Sequence, residues 1–227
     1  MNLGDLGVAQ FVHDVRNHLS LIILSAERLL QSATQNESVA DLLELRQSAE
    51  RASLLARELL TAARPRLVAR DRLDVNEVIA HTVARPGLLG RRIRLQLRLS
   101  PTPVIVSAEP LELERILLNI VLNAREAMPA GGTMTVETTV IHHSASASIE
   151  GLTAGPFVRV IVRDTGVGME PEVKDRIFEP FFTTKKAGTG LGMSSVGFTV
   201  RQLQGIVSVE SRPGRGTSVS VFLPWAR

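Results

Sequence analysis

Apolar residues recur every three or four positions through the first quarter of the chain. In "FVHDVRNHLSLIILSAERLL" they are Val12, Val15, Leu19, Ile22, Ile23, Leu29 and Leu30. In "VADLLELRQSAERASLLARELLTAA" they are Leu42, Leu43, Leu45, Ala49, Leu54, Leu55 and Leu59. This spacing predicts two amphipathic helices. The polar stretch "QSATQNES" (31–38) reads as the turn between them, and Pro65 ends the second. Two helices joined by a short loop form an antiparallel hairpin whose apolar stripe lacks a cover. A second copy would supply one, so the expectation is a homodimer joined through a four-helix bundle. The alternative is a hairpin packed on the rest of its own chain.

Beyond Pro65 the pattern changes. "RIRLQLRLS" alternates polar and apolar residues and predicts a strand, as do "TPVIVS", "GGTMTVETTV" and "PFVRVIVRDT". "PLELERILLNIVLNAREAM" has a strong helical period, with Pro110 suited to a first turn. "GLGMSSVGFTVRQLQG" predicts a helix closed by Gly205, and "IVSVES" and "TSVSVFLP" a hairpin around "RPGRG". The stretch "HHSASASIEGLTAG" (142–155) reads as an exposed loop. Strands and helices mix without regular βαβ alternation, so the class is α+β, a sheet with helices on one face. Residues 1–65 are expected to form the hairpin domain and residues 66–227 the second domain.

Composition narrows the function. The 227 residues contain no cysteine, which excludes disulfides and thiolate metal sites and fits a reducing, cytoplasmic setting. No uncharged apolar run is long enough for a membrane span and no secretory leader is read, so no membrane contact within this chain is expected. A net charge of +3 with 4% aromatic residues gives little for nucleic acid to bind.

Several motifs carry candidate chemistry. His13 stands beside Asp14 in the first helix, with Asn17 one turn on. Asn119 and Asn123, four residues apart, share one helix face. An amide oxygen is a hard ligand suited to magnesium, although capping or exposure would be the ordinary role for either residue. "VRDTGVGM" ends a strand on Asp164, and Gly166 and Gly168 permit a turn that a β-carbon would block. A buried carboxylate there could accept a hydrogen bond from an amino group such as that of adenine. In "KKAGTGLGMSSVG", Gly188, Gly190 and Gly192 lead into a helix whose first N–H groups suit phosphate. The spacing is neither a Walker loop nor a Rossmann turn. Between these clusters, "RIFEPFFTTKK" reads as a mobile cover, with Lys185 or Lys186 able to reach phosphate.

Each motif alone is modest, but their order is specific. "NIVLNAREAM", "DTGVGM", "FEPFFTTK", "GTGLGM" and "GRGT" resemble the asparagine, first glycine, phenylalanine, second glycine and third glycine boxes of two-component sensor histidine kinases. "HDVRNHLSLI" resembles their phosphoacceptor box, and the wording is nearest to the hybrid-type and nitrogen-regulatory kinases. The resemblance covers nearly the whole chain. It implies a two-layer α/β sandwich, the Bergerat fold of the GHKL ATPases, binding ATP and Mg2+. Asp164 would read the adenine amino group with Thr217 nearby through water. Asn123 would ligate magnesium, with Asn119 close to the phosphates. Gly190 and Gly192 would lie against the phosphates, and the lid would run from about Gly168 to Gly188.

The resemblance also implies that His13 takes the γ-phosphoryl group, with Asp14 orienting the imidazole and accepting its proton. The phosphoryl group would then pass to an aspartate of a response-regulator receiver domain. Asn17 matches a position where the family places a water-positioning residue, which would add phosphatase activity. His18 lies about 140° further round the helix, off the face of His13, where many relatives carry a helix-bending proline. Gyrase- and chaperone-type relatives use a glutamate as general base four residues before the magnesium-binding asparagine. Here that residue is Asn119, and an amide is no base. An anti-sigma serine kinase would lack the histidine-bearing hairpin, and a phosphotransfer adaptor would not need the full set of glycine boxes. No sensor, membrane span or receiver is read in the sequence, so the expectation is either a soluble kinase whose signal comes from a separate sensor protein or domain, or the core of a longer protein.

Overall fold

The computed structural model describes residues 70–85, 87–90, 92–143, 152–185 and 190–226, together with Ile22 and Ala49. The chain forms two compact units, Met1–Ala69 and Arg70–Arg227. His13, Asp14, Asn17 and His18 lie outside the described residues, as do the hairpin turn and any bundle built on it.

The second unit begins with β1 (Asp71–Asp74), α1 (Val75–Val83), β2 (Ile93–Arg98), β3 (Ile105–Ala108) and α2 (Pro110–Glu126). It continues through β4 (Gly132–His143), β5 (Gly155–Asp164), α3 (Pro171–Arg176) and α4 (Gly192–Gln202), and then β6 (Ile206–Ser211) and β7 (Thr217–Pro224). Five strands form one sheet in the order β2-β4-β5-β7-β6. β2 runs parallel to β4 and the other pairs are antiparallel. β1 and β3 form a separate antiparallel ribbon.

Helix α2 follows from its sequence. Pro110 fills a first-turn position that needs no N–H donor, and the Glu109 N–H donates to Glu112 Oε2 at 3.1 Å. Leu113, Ile116, Leu117, Ile120, Val121 and Ala124 form its buried stripe. They meet Val158, Val160 and Val162 of β5 and Met193, Val196 and Val200 of α4 in one core. Helices α1, α2 and α4 thus cover one face of the sheet, the two-layer α/β arrangement expected from sequence. On the other face Leu152, Phe157 and Phe222 make a small apolar cluster.

That cluster corrects the reading of 142–155 as an exposed loop. β4 runs on to His143, whose buried ring lies 3.2 Å from the Thr153 carbonyl oxygen, and Leu152 is buried. Residues 144–151 lie outside the described part. Three elements were not anticipated: β1, α1 and α3. Asp74 organises the first two, because its Oδ1 accepts N–H bonds from Asn76 at 3.0 Å and Val104 at 3.1 Å. It caps α1 and ties the helix start to the chain entering β3.

Candidate nucleotide-binding site

Alternation along β5 determines where Asp164 points. Val158, Val160 and Val162 face the helix layer, and period two puts Asp164 on the same side. Its side chain is 5% exposed. The N–H groups of Gly166 and Thr217 donate to the same oxygen, Oδ1, at 2.8 and 3.2 Å. Oδ2 accepts nothing among the described residues and is free to meet an amino group. Burial lifts the carboxyl above its ordinary value, while the two N–H bonds pull the other way.

The turn after Asp164 is held from two sides. Val167 N–H donates to the Ala127 carbonyl oxygen just beyond α2 at 3.0 Å. Met169 N–H donates to Ser211 Oγ at 2.9 Å, and Gly214 N–H donates to the Val167 carbonyl oxygen at 2.7 Å. Gly168 has φ +69, and a β-carbon there would fall on the Arg212 carbonyl oxygen. The β6–β7 turn and the Asp164 loop therefore close on each other. Ser211 completes the join, with its hydroxyl 2.9 Å from Thr217 Oγ1 and 3.0 Å from the Gly216 carbonyl oxygen. Ser211 had no motif to mark it.

The second half of the site lies between α2 and the start of α4. Asn119 and Asn123 sit half-buried beside the apolar stripe of α2. A β-carbon on Gly192 would stand 3.7 Å from Asn119 Oδ1 and 3.8 Å from Asn123 Nδ2, so both amides face the first residue of α4. Free N–H groups in that first turn favour an anion. Gly190, at φ +67, packs so closely on the Phe181 backbone that a β-carbon would collide with it. Phe181 N–H donates to the Gly190 carbonyl oxygen at 3.0 Å, and Phe181 itself sits at φ +68.

The segment expected to be a lid is structured over its described length. It contains α3, the Arg176 guanidinium stacks over Phe182 at 4.2 Å, and Phe178 lies beside Gly197 of α4. Residues 186–189, with Lys186 and Gly188, lie outside the described part. Lys185 Nζ donates to Asn123 Oδ1 at 3.1 Å and to Glu126 Oε2. Glu126 was not among the expected site residues. Its only sequence signal is position, three residues after Asn123 and so on the same helix face.

Hence Asp164, Gly166, Gly168 and Thr217 gather at one end of β5, and Asn119, Asn123, Lys185, Gly190 and Gly192 gather between α2 and α4. Both groups lie on the helix-covered side of the sheet. A carboxylate oxygen and an amide oxygen converge on one ammonium at Glu126 and Asn123, and such hard donors fit magnesium.

Known proteins resemble this chain in sequence and in fold. Residues 108–227 match the family model for histidine kinase-, DNA gyrase B- and HSP90-like ATPases. The chain is 36% identical over 93% of its length to the sensor kinase CckA of Brucella abortus, covering 23% of that protein. It is 32% identical over 98% of its length to the sensor histidine kinase ZraS of Escherichia coli strain K12, covering 45% of it. The chain thus spans less than half of these curated relatives. Among solved structures, a mycobacterial sensor histidine kinase, MprB, superposes with a TM-score of 0.57 at 25% identity, over 69% of this chain and 97% of that one. Full-length ShkA in complex with AMPPNP superposes with a TM-score of 0.56 at 24% identity, over 97% of this chain and 46% of that one, a likeness of fold. The chain belongs to the histidine kinase-, DNA gyrase B- and HSP90-like ATPase family, and it is a catalytic core of the sensor histidine kinase type.

Proposed function

We propose that the chain is an ATP-dependent protein histidine kinase that phosphorylates its own His13 and passes the phosphoryl group to an aspartate of a response-regulator receiver domain. The observation that carries the nucleotide half of this reading is Asp164. It is a buried carboxylate with one oxygen fixed by two backbone N–H groups and the other available to the adenine amino group. Thr217 supports the same edge of the base.

Asn119 and Asn123 would meet the phosphates beside the start of α4, and Asn123 with Glu126 would hold magnesium. When bound, the ion supplies charge neutralisation on the phosphate oxygens. The protein's own task is alignment. The neutral His13 imidazole attacks the γ-phosphorus, an N–P bond forms, and the bond to the β,γ-bridging oxygen breaks with ADP leaving. Asp14 orients the other ring nitrogen and takes its proton. Two chains act as a dimer through the 1–65 hairpins. Asn17, one turn from His13, would position water to dephosphorylate the regulator. Asn119 argues against simple ATP hydrolysis, since the amide cannot serve as the base for water.

Labelled ATP tests the proposal. Wild-type protein should acquire acid-labile, base-stable label, and His13→Ala should acquire none. Label on His13→Ala, or acid-stable label on wild type, would overturn the assignment.

A further inference from the structure

Lys185 and Glu126 are far apart in sequence, yet their side chains meet. Glu126 is the last residue of α2 and Lys185 lies in the segment between α3 and α4. One ammonium is shared between Glu126 Oε2 and Asn123 Oδ1, the latter at 3.1 Å. The lysine is also placed by its own backbone, whose N–H donates to Thr183 Oγ1 at 3.1 Å. Just upstream, the Phe181 N–H bond to Gly190 holds the segment against the start of α4.

A carboxylate and an amide oxygen aimed at one cation are the donor types that magnesium takes. Here the bound cation belongs to the protein itself. The ammonium therefore stands in for the metal ion. We propose that Asn123 and Glu126 form a single cation site that Lys185 and magnesium occupy in turn, magnesium displacing the ammonium. The lid segment is released as a result and Lys185 becomes available to phosphate. The proposal rests on the nucleotide-site reading above and adds to it the exchange of magnesium with Lys185.

Two physical points support the exchange. Two cations held against the same pair of oxygens repel each other at contact distance, so binding of one disfavours the other. The Lys185 and Glu126 side chains are 44% and 45% exposed, and an ion pair at such exposure is weak and readily exchanged. The divalent ion gains more from the Glu126 charge than the ammonium does. Each ligand then shifts the lid by its difference in affinity for the two states.

The test is amide hydrogen exchange, by mass spectrometry, of the Phe181–Lys185 segment in the full chain without nucleotide. Magnesium chloride is titrated against sodium chloride of equal ionic strength. The expected result is a saturable, severalfold faster exchange with magnesium and not with sodium. Glu126→Gln should exchange fast from the start and ignore magnesium. Lys185→Met should also start fast, and calorimetry should show it binding magnesium severalfold more tightly than wild type. Equal responses to the two salts, or a Glu126→Gln segment that exchanges and responds as wild type does, would overturn the proposal. A parallel titration with a fluorescent ATP analogue in saturating magnesium separates the two readings. Binding of the analogue with an indifferent lid removes the exchange mechanism alone, whereas failure to bind it removes the nucleotide reading.

Discussion

Asp164 joins a structural cost to the role proposed for it in reading adenine. Its carboxyl is buried and raised above its ordinary value of 3.8. A raised carboxyl favours folding fully only below its unfolded-state pKa, and that contribution is lost as pH rises through the folded-state value. At neutral pH the ionised group is therefore a burden on the fold. Asp164→Asn can accept the same two N–H bonds without the charge. It should melt at or above wild type at neutral pH, with the gap closing as pH falls toward 3.8, as thermal melts at a series of pH values will show. The same variant should lose affinity for a fluorescent ATP analogue by roughly 10-fold or more, since its amide would present N–H to the adenine amino group. Gly168 gives a second case. Its φ of +69 and the nearby Arg212 carbonyl leave no space for a β-carbon. Gly168→Ala should cost more than about 1 kcal/mol by urea denaturation and weaken nucleotide binding along with it.

At the scale of elements, legibility followed length and periodicity. Helix α2, with its seventeen residues and clean apolar stripe, was plain from sequence, as were β2, β3, β5, α4 and the β6–β7 hairpin. Helix α1 was not. Its sequence, "VNEVIAHTV", spans nine residues dominated by β-branched side chains, which are weak helix formers. Tertiary burial of Val75, Ile79 and Thr82, with the Asp74 cap, overrides that preference. Ile79 is 1% exposed, so Ile79→Ala should destabilise the unit by about 2–5 kcal/mol in urea. A smaller loss would mean that α1 is marginal to the core. The residues proposed for the site came from the resemblance of their boxes to the family, while the glycine positions also report backbone demands directly, as the positive φ of Gly168 and Gly190 shows. Glu126 and Ser211 escaped notice because an exposed glutamate on a helix and a serine at a strand end are ordinary on their own. Their roles come from partners 59 and 42 residues away.

For the whole molecule, the unit Arg70–Arg227 carries its own apolar core, drawn from α1, α2, α4 and both sheets. A fragment of residues 70–227 should unfold cooperatively by circular dichroism and bind the ATP analogue about as well as the full chain. It should take no label from ATP, since it lacks His13. Loss of cooperative melting in the fragment would mean that the first sixty-nine residues contribute to the fold of the second unit.

The hydrogen bond from Thr217 to Asp164 spans 53 residues. A growing chain emerging from the ribosome can fold α2 and pair β4 with β5 long before β7 exists. During that interval the aspartate has only half of its backbone support, and the loop beside it lacks the hairpin that closes on it. Until β7 has been made, the carboxylate thus lacks the bond that completes its setting. Truncation before β7 is expected to leave Asp164 with a single backbone donor, Gly166.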